Sequence, residues 1–534
     1  MSQTYYITTP IYYVNDKPHI GHAYTTIACD VLARFMRLDD HQVMFLTGTD
    51  EHGQKVEKSA RDAGMDPQAF TDRVSQNFRD LAQVMNISND DFIRTIEKRH
   101  YAASQGIWKA IAARKSPKNQ DNIYLGKYSG WYAVRDEAFY DEDELTTGPD
   151  GKKRAPSGAE AEWVEEPSYF FRLSDWQDWL LDHYERNPAA IGPASRRNEV
   201  IAFVKRGLQD LSISRTTFKW GVPVPDAPEH IMYVWLDALT NYITAVGYPN
   251  ENAEKFKALW PADLHMVGKD ILRFHAVYWP AFLAAAGLKP QKRVFAHGWW
   301  TAEGQKMSKS LGNVLDPHAL IARYGLDPLR YFVLRELPFG QDGDFSHRAM
   351  VQRLNSDLAN DLGNLAQRVL GFIAKNADGV VPTPGTLSQA DLRLSNAAAT
   401  VIDRVRAELS GQQFHRALDA IWEVVSDANK YVDEQAPWTL RKTDLARMAT
   451  VLFVLLGVLR RLAIILQPFM PTSMAKLLDQ LAIPADQRTF AALDVLKTWL
   501  TPGTALPAPS GVFPRYVEEG ETPPAAKAKK GGKG

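Results

Sequence analysis

The chain has 534 residues, more than one hydrophobic core usually serves, so several domains are expected. Hydrophobic residues at 45% and charged residues at 23% are ordinary for a soluble globular protein and exclude a fibrous or wholly disordered chain. One cysteine, Cys29, excludes an internal disulfide and any multi-cysteine metal site, and a net charge of −1 gives no global attraction to nucleic acid.

Residues 5–9, rich in aromatic and β-branched side chains, read as a buried strand, followed by a loop with Asn15, Asp16 and Pro18. From Gly21 on, Ala28, Val31, Leu32, Phe35 and Met36 fall at helical spacing. Residues 42–46 read as a second strand that ends in Thr47-Gly48-Thr49-Asp50-Glu51-His52-Gly53, completing the strand, helix, strand unit of a parallel sheet. Between 115 and 220 this alternation gives way to short aromatic runs and a GPDGKKRAPSG segment, which reads as an insertion. Trp131, Tyr140, Trp163, Tyr169, Phe170 and Phe171 are expected to form its small core. After the GVPVPDAP linker the alternating pattern returns, with helices expected over 234–246 and 270–286 and a strand over 293–296. Beyond Asp327, amphipathic stretches over 350–375, 391–409, 413–434 and 440–467 predict a helical domain, and the basic, low-complexity end from Pro523 reads as a disordered tail. The start lacks a basic segment followed by an apolar run, and no eighteen-residue apolar stretch occurs, so a cytoplasmic protein with no membrane partner is expected.

Two short sequences carry the chemistry: Pro18-His19-Ile20-Gly21-His22 at a strand-to-helix junction, and Lys306-Met307-Ser308-Lys309-Ser310 in a loop. Together they resemble the HIGH and KMSKS signatures of class I aminoacyl-tRNA synthetases. The carboxyl edge of a strand is where a doubly wound sheet binds nucleotides. A helix amino end there offers unpaired N–H groups and a positive dipole end to a phosphate chain, and Gly21 lets the nucleotide come close. The resemblance gives His19 and His22 the role of donating to charge that builds on the α-phosphate, the alternative being capping or core histidines. It gives Lys306 and Lys309, above all Lys309, the role of offsetting charge on the leaving pyrophosphate, the alternative being a solvated lysine pair.

Further segments narrow the resemblance to methionyl-tRNA synthetases. Ile11, Tyr13 and Asp50 stand where that family places pocket residues, with Asp50 pairing the substrate amine; locally, Asp50 could instead be a helix N-cap. In VWLDALTNY, Trp235, Ala238 and Tyr242 share one helical face. Gly268-Lys269-Asp270-Ile271-Leu272-Arg273-Phe274-His275 matches the family's GKD segment, which adds Ile271 and His275 to the methionine pocket and turns Asp270 toward the substrates. His297 and Gly298 are expected at the edge of the ATP site beside His19, Gly21, His22, Asp270 and Lys309. Asn364 and Arg368 in NDLGNLAQR and Trp438 in EQAPW resemble the anticodon-reading residues; Trp438 would stack on a base, or could be a partly buried helix-start tryptophan. Arg353, Arg441 and Lys442 are weaker candidates for phosphate contacts.

The resemblance therefore implies an α/β class I Rossmann-like catalytic domain with a connective insertion, followed by an all-α anticodon-binding bundle. The expected division is 1–114 and 221–326 for the two catalytic halves, 115–220 for the insertion, 327–350 for a stem-contact connector, 351–505 for the bundle and 506–534 for an extension and tail. The expected substrates are methionine, ATP with Mg2+, and the initiator and elongator methionine tRNAs. The insertion carries Lys127-Tyr128-Ser129-Gly130-Trp131-Tyr132 where many relatives have zinc-binding cysteines, so no metal site is expected. It is also too short for an editing domain. No oligonucleotide-binding extension follows Leu506, so a monomer is expected. The rival readings are the same chemistry on another amino acid such as cysteine or leucine, an inactive tRNA-binding protein, and a nucleotidyl transferase acting on a small molecule.

Overall fold

In a computed structural model, which describes residues 3–14, 18–136, 138–305, 307, 313–493 and 500–518, the aromatic start of the chain forms the strand Thr4–Thr8 (β1). Tyr12–Tyr13 (β2), Gln42–Asp50 (β3), Asp91–Arg94 (β4), Ile191–Gly192 (β5), Leu264–Gly268 (β6) and Val294–His297 (β7) join it in one parallel sheet. Their spatial order is β5, β7, β6, β1, β3, β2, with β4 also paired to β3. Ile7 and Thr8 of β1 face Leu264 and His265 of β6 on one side, and Phe45 and Leu46 of β3 on the other. Every residue of β6 and β7 is buried, as expected of strands covered on both faces. The chain winds from β1 to β3 in one direction while β6 and β7 lie in the other, so the order reverses between β1 and β6, the switch point at which such a sheet places a crevice beyond its carboxyl ends.

The helix Ile20–Leu38 (α1) follows β2 and packs Ile27, Ala28, Val31, Leu32 and Phe35 inward, as their spacing predicts. Lys98–Ala112 (α2) and Val234–Thr244 (α3) are the other helices that bear on the site. Two stretches differ from expectation. The helix expected over 270–286 is broken into a 3-10 turn (Lys269–Ile271), a π-helical turn (Phe274–Tyr278) and a short α-helix (Trp279–Ala285). The extra residue per turn in a π bulge re-aims side chains, and His275 lies within it.

The insertion is narrower than its composition suggests. A long antiparallel hairpin pairs Ile123–Ala133 with Glu160–Phe171, but β5 and the side chains of Leu173, Trp176, Leu180 and Tyr184 belong to the main core and its sheet. Its own small core is built from Ala133, Ala155, Ala159 and Ala161, with Trp131, Tyr140 and Leu145 packed against them. Trp163 is 55% exposed, Phe170 stacks on Tyr124, and Phe171 and Tyr169 join the main core. Aromatic residues on a two-faced strand alternate sides, so only some could share one core.

Chain contacts define two compact units, Met1–Trp300 with Met307–His318 and Phe339–Gly343, and Thr301–Lys306 with Ala319–Pro338 and Asp344–Gly534. The second is helical. It contains His347–Arg353, a π-helical stretch Leu354–Gly363, Asn364–Asn376, Gln389–Ser410 (α4), Phe414–Gln435 (α5), Pro437–Thr443 (α6) and Leu445–Leu466 (α7), close to the four predicted stretches. Among the described residues, α7 alone is long and apolar enough to cross a membrane, with a mean hydropathy of 2.3 over its most apolar window. Because 94% of that window is buried within the protein, α7 is a core helix of the bundle, largely apolar apart from the buried Arg460 and Arg461.

Candidate active site

The crevice beyond the sheet's carboxyl ends collects most of the expected residues. Ile11 follows β1, Asp50 ends β3, Asp270 follows β6, and His297 ends β7. At the start of α1, His19 is the N-cap: its Nδ1 accepts from the Gly21 amide at 3.1 Å, while His22 Nδ1 accepts from the His19 amide at 3.0 Å. Capping therefore occupies only Nδ1 of each ring. With both Nδ1 atoms held as acceptors, the tautomer assigned by these bonds puts the proton of each neutral ring on Nε2. Burial lowers the His19 pKa, opposed by the Asp270 charge, and burial together with His19 lowers that of His22 much further. The rings lie 3.9 Å apart, and Tyr12 and Phe78 hold His22 edge-on. A Cβ on Gly21 would meet the His19 ring at 2.9 Å, so this glycine first makes room for the cap itself.

The helix amides depart from expectation. Ile20 N–H donates to the Leu315 carbonyl at 3.1 Å, Gly21 N–H goes to His19, and the His22 and Ala23 amides go to the His19 carbonyl. The first turn offers a phosphate its dipole rather than free N–H groups, and the donors that remain are imidazoles. Lys306 and Lys309 lie outside the described residues; the chain beyond them returns to the site at Leu315.

After β6, Asp270 is exposed and accepts from Trp299 Nε1 at 3.1 Å. A Cβ on Gly268 would sit 2.5 Å from Asp270 Oδ1, which accounts for the glycine of the GKD segment. Lys269 pairs with Asp342 at 2.6 Å and lies over the Trp299 ring at 4.3 Å. His297 is buried, with Nε2 bonded to Thr25 Oγ1 at 2.7 Å and Nδ1 to the Gly298 carbonyl at 2.8 Å, so it backs the crevice with both nitrogens engaged. A Cβ on Gly298 would strike the Gln341 backbone at 2.3 Å.

The residues expected to hold an amino acid fall on the end of β3, on α3 and on the segment after β6. Asp50 is 7% exposed and faces Tyr13 in the β2–β3 register. It caps no helix: Gly53 is the N-cap of the next one, with no side-chain cap bond. Ile11, Trp235 and Ile271 are all half-buried against the edge of the main core, whereas Tyr13 packs in a neighbouring cluster with Val56 and Phe70. Trp235 stacks on Phe274 at 3.6 Å, and Ala238 and Tyr242 are buried on the same face of α3. Tyr242 donates to His275 Nε2 at 2.7 Å, and His275 Nδ1 donates to the Ile271 carbonyl at 3.0 Å. Burial outweighs the Ile271 carbonyl and Asp270, bringing the His275 pKa down to about 4. The result is an apolar wall of rings on α3 and the segment that follows β6, with one buried carboxylate at the end of β3. Among the described residues, no three His, Cys, Asp or Glu side chains are placed to hold a metal ion.

Sequence reasoning missed one buried cluster. Asp237, inside the quoted VWLDALTNY, binds His52 Nδ1 at 2.6 Å and His100 Nε2 at 2.7 Å. Both Asp237 and His52 stood in segments already singled out, but their partnership spans the fold and has no local signal.

In the helical unit, Trp438 is 45% exposed at the start of α6, just after Ala436 at φ 43° and Pro437. The Arg368 guanidinium lies 5.6 Å from its ring centre while pairing with Asp433 at 2.6 Å, and Asn364 is exposed one turn before Arg368. Arg353 is tied to Glu336 at 2.8 Å and Asp357 at 3.1 Å, so it is an internal ion pair rather than a free phosphate contact. Arg441 bonds the Asn376 side chain.

Comparison with known proteins gives a consistent result. A family model described as "tRNA synthetases class I (M)" matches residues 5–370, and one described as "Anticodon binding domain of methionyl tRNA ligase" matches 381–528. The methionine–tRNA ligase of Brucella suis biovar 1 (strain 1330) is 59% identical over 519 residues, 97% of this chain and 99% of that protein. That of Mesorhizobium japonicum is 58% identical, covering 97% and 98%. The Mycobacterium tuberculosis methionyl-tRNA synthetase solved in complex with methionyl-adenylate superposes with a TM-score of 0.92 at 53% identity, covering 96% of this chain and all of that one.

Proposed function

The chain belongs to the methionyl family of class I tRNA synthetases, and from that premise we propose how its residues join methionine to tRNA. Its reaction has two steps: methionine and ATP give methionyl-adenylate and pyrophosphate, and the methionyl group then passes to the 3′-terminal ribose of the methionine tRNAs. The geometry that carries our assignment of roles is the imidazole pair locked by reciprocal Nδ1 bonds at the carboxyl end of β1.

In the first step the substrate carboxylate attacks the α-phosphorus of ATP. The Nε2–H groups of His19 and His22 donate to the charge that grows there, in a half-buried pocket where such donors are already oriented. Being neutral, they donate without transferring a proton. Lys306 and Lys309 neutralise the departing pyrophosphate, with Mg2+ entering as part of the ATP substrate. Asp270 receives a ribose hydroxyl of ATP, and His297 and Gly298 close the nucleotide end. Asp50 holds the substrate ammonium, while Ile11, Tyr13, Trp235, Ala238, Tyr242, Ile271 and His275 enclose its thioether, since sulfur packs well against rings. In the second step a ribose hydroxyl of tRNA attacks the adenylate carbonyl and AMP leaves. Trp438 stacks on an anticodon base beside Asn364 and Arg368. The same reading includes a monomeric, cytoplasmic enzyme, with a catalytic domain that takes in β5 and its flanking core residues besides 1–114 and 221–326, and an anticodon bundle over 351–505.

The test is ATP–pyrophosphate exchange with each amino acid in turn, on the native chain and Lys309→Ala. Exchange with methionine alone, lost in Lys309→Ala, is the expected result; a better rate with any other amino acid, or full exchange in the variant, rejects these roles.

A further inference from the structure

Asp237 lies about 200° around α3 from Trp235, on the face turned away from the wall formed by Trp235, Ala238 and Tyr242. Each of its oxygens takes one imidazole N–H: Oδ2 from His52 Nδ1 at 2.6 Å, and Oδ1 from His100 Nε2 at 2.7 Å. The three side chains are at most 2% exposed. Tyr101 bonds the far nitrogen of His52 at 3.1 Å, and Thr244 that of His100 at 3.2 Å, so the cluster is closed on both sides. Burial would raise the Asp237 pKa, yet the two imidazoles outweigh it and hold it at about 2.

A buried carboxylate and its partners are a poor source of stability compared with packed apolar side chains, so what they contribute is a fixed geometry. The two ends of the Asp237–His52 bond differ in what they carry. His52 lies two residues beyond Asp50, on a strand end also tied down by Glu51–Arg94 at 2.7 Å and by Gly53 N–H to the Trp220 carbonyl at 3.0 Å. Asp237 is the fixed point of the helix that presents the aromatic wall. His100 belongs to α2, which carries no substrate-facing candidate.

We propose that Asp237 and His52 are positioning residues whose bond sets the distance between the Asp50 carboxylate and the ring wall of α3, and thereby the affinity for methionine. This rests on the reading of Asp50 and α3 as the two sides of the methionine pocket.

Asp237→Asn keeps the shape but puts an amide donor against an imidazole N–H. In pyrophosphate exchange it raises the KM for methionine about tenfold, leaving kcat and the KM for ATP within about threefold, because displacement of one binding group, not of the phosphate donors, is the defect. His52→Ala does the same. His52→Asn, whose amide N–H replaces Nδ1–H, brings the KM back to within about threefold of native. His100→Ala lowers the Tm without moving the methionine KM. The inference is overturned if folded Asp237→Asn and His52→Ala keep the native methionine KM, or if His100→Ala raises it as much as His52→Ala, which marks a general loosening. If Asp237→Asn does not fold, the three histidine variants decide by the same criteria. Asp50→Ala, run alongside, separates the two levels. An unchanged methionine KM in Asp50→Ala removes the pocket reading and the inference with it; a raised KM there with native values in Asp237→Asn and His52→Ala removes the positioning role alone.

Discussion

His19 and His22 each use Nδ1 on the backbone at the start of α1, which leaves Nε2 for the donor role proposed above. That division can be taken apart. Asparagine is among the best N-caps but carries no donor where Nε2 stands, so His19→Asn keeps the helix start and removes the donor. Its melting temperature is expected to match the native value, while kcat for pyrophosphate exchange falls about a hundredfold, the usual cost of losing one pre-oriented donor to developing charge. Gly21→Ala, by contrast, pushes the His19 ring and disturbs cap and donor together. The residue types of this site were legible because they sit in two compact motifs. That the first amides of α1 are already bonded was not, since the Leu315 carbonyl that takes one of them comes from a distant part of the chain.

At the scale of elements, the segment from Ile271 to His275 and the helix α3 are bound through the Tyr242–His275 bond. His275 titrates near 4 in the fold against 6.5 when free, so between those values the unfolded chain binds the additional proton. Stability therefore falls as the pH drops from 6.5 towards 4, by up to about 3 kcal/mol from this group. Urea unfolding across that range measures the slope, which His275→Gln is expected to reduce. In the helical unit, Asp391 takes both Tyr431 O–H at 2.5 Å and Arg447 at 2.5 Å, with no exposure of its own side chain. Arg447→Met strands that carboxylate and is expected to destabilise the bundle by about 3 kcal/mol, read from chemical denaturation. Periodicity located α1 and the long helices to within a few residues, because an amphipathic helix announces its buried face. It missed the break over 270–286, where apolar residues suit a π turn as well as an α turn, and it ran the insertion on to 220. Aromatic runs do not say which core they join, and Leu173, Trp176 and Leu180 join the main one.

At the scale of the whole molecule, the roles proposed above put adenylate formation in the unit with the parallel sheet and anticodon reading in the helical one. Trp438→Ala is expected to lower kcat/KM for tRNA aminoacylation by about tenfold to a hundredfold, the range of one lost base stack, without changing pyrophosphate exchange. Within the sheet unit, Asp50, proposed for the amino acid, ends β3, and His19, proposed for the phosphate, caps α1. The measurement that bears most directly on this division is steady-state pyrophosphate exchange with Asp50→Ala beside His19→Asn, varying methionine and ATP independently. The account predicts a methionine KM raised at least tenfold with kcat largely kept in Asp50→Ala, and a kcat lowered about a hundredfold with the methionine KM kept in His19→Asn. The same change in the same constant for both variants would contradict it.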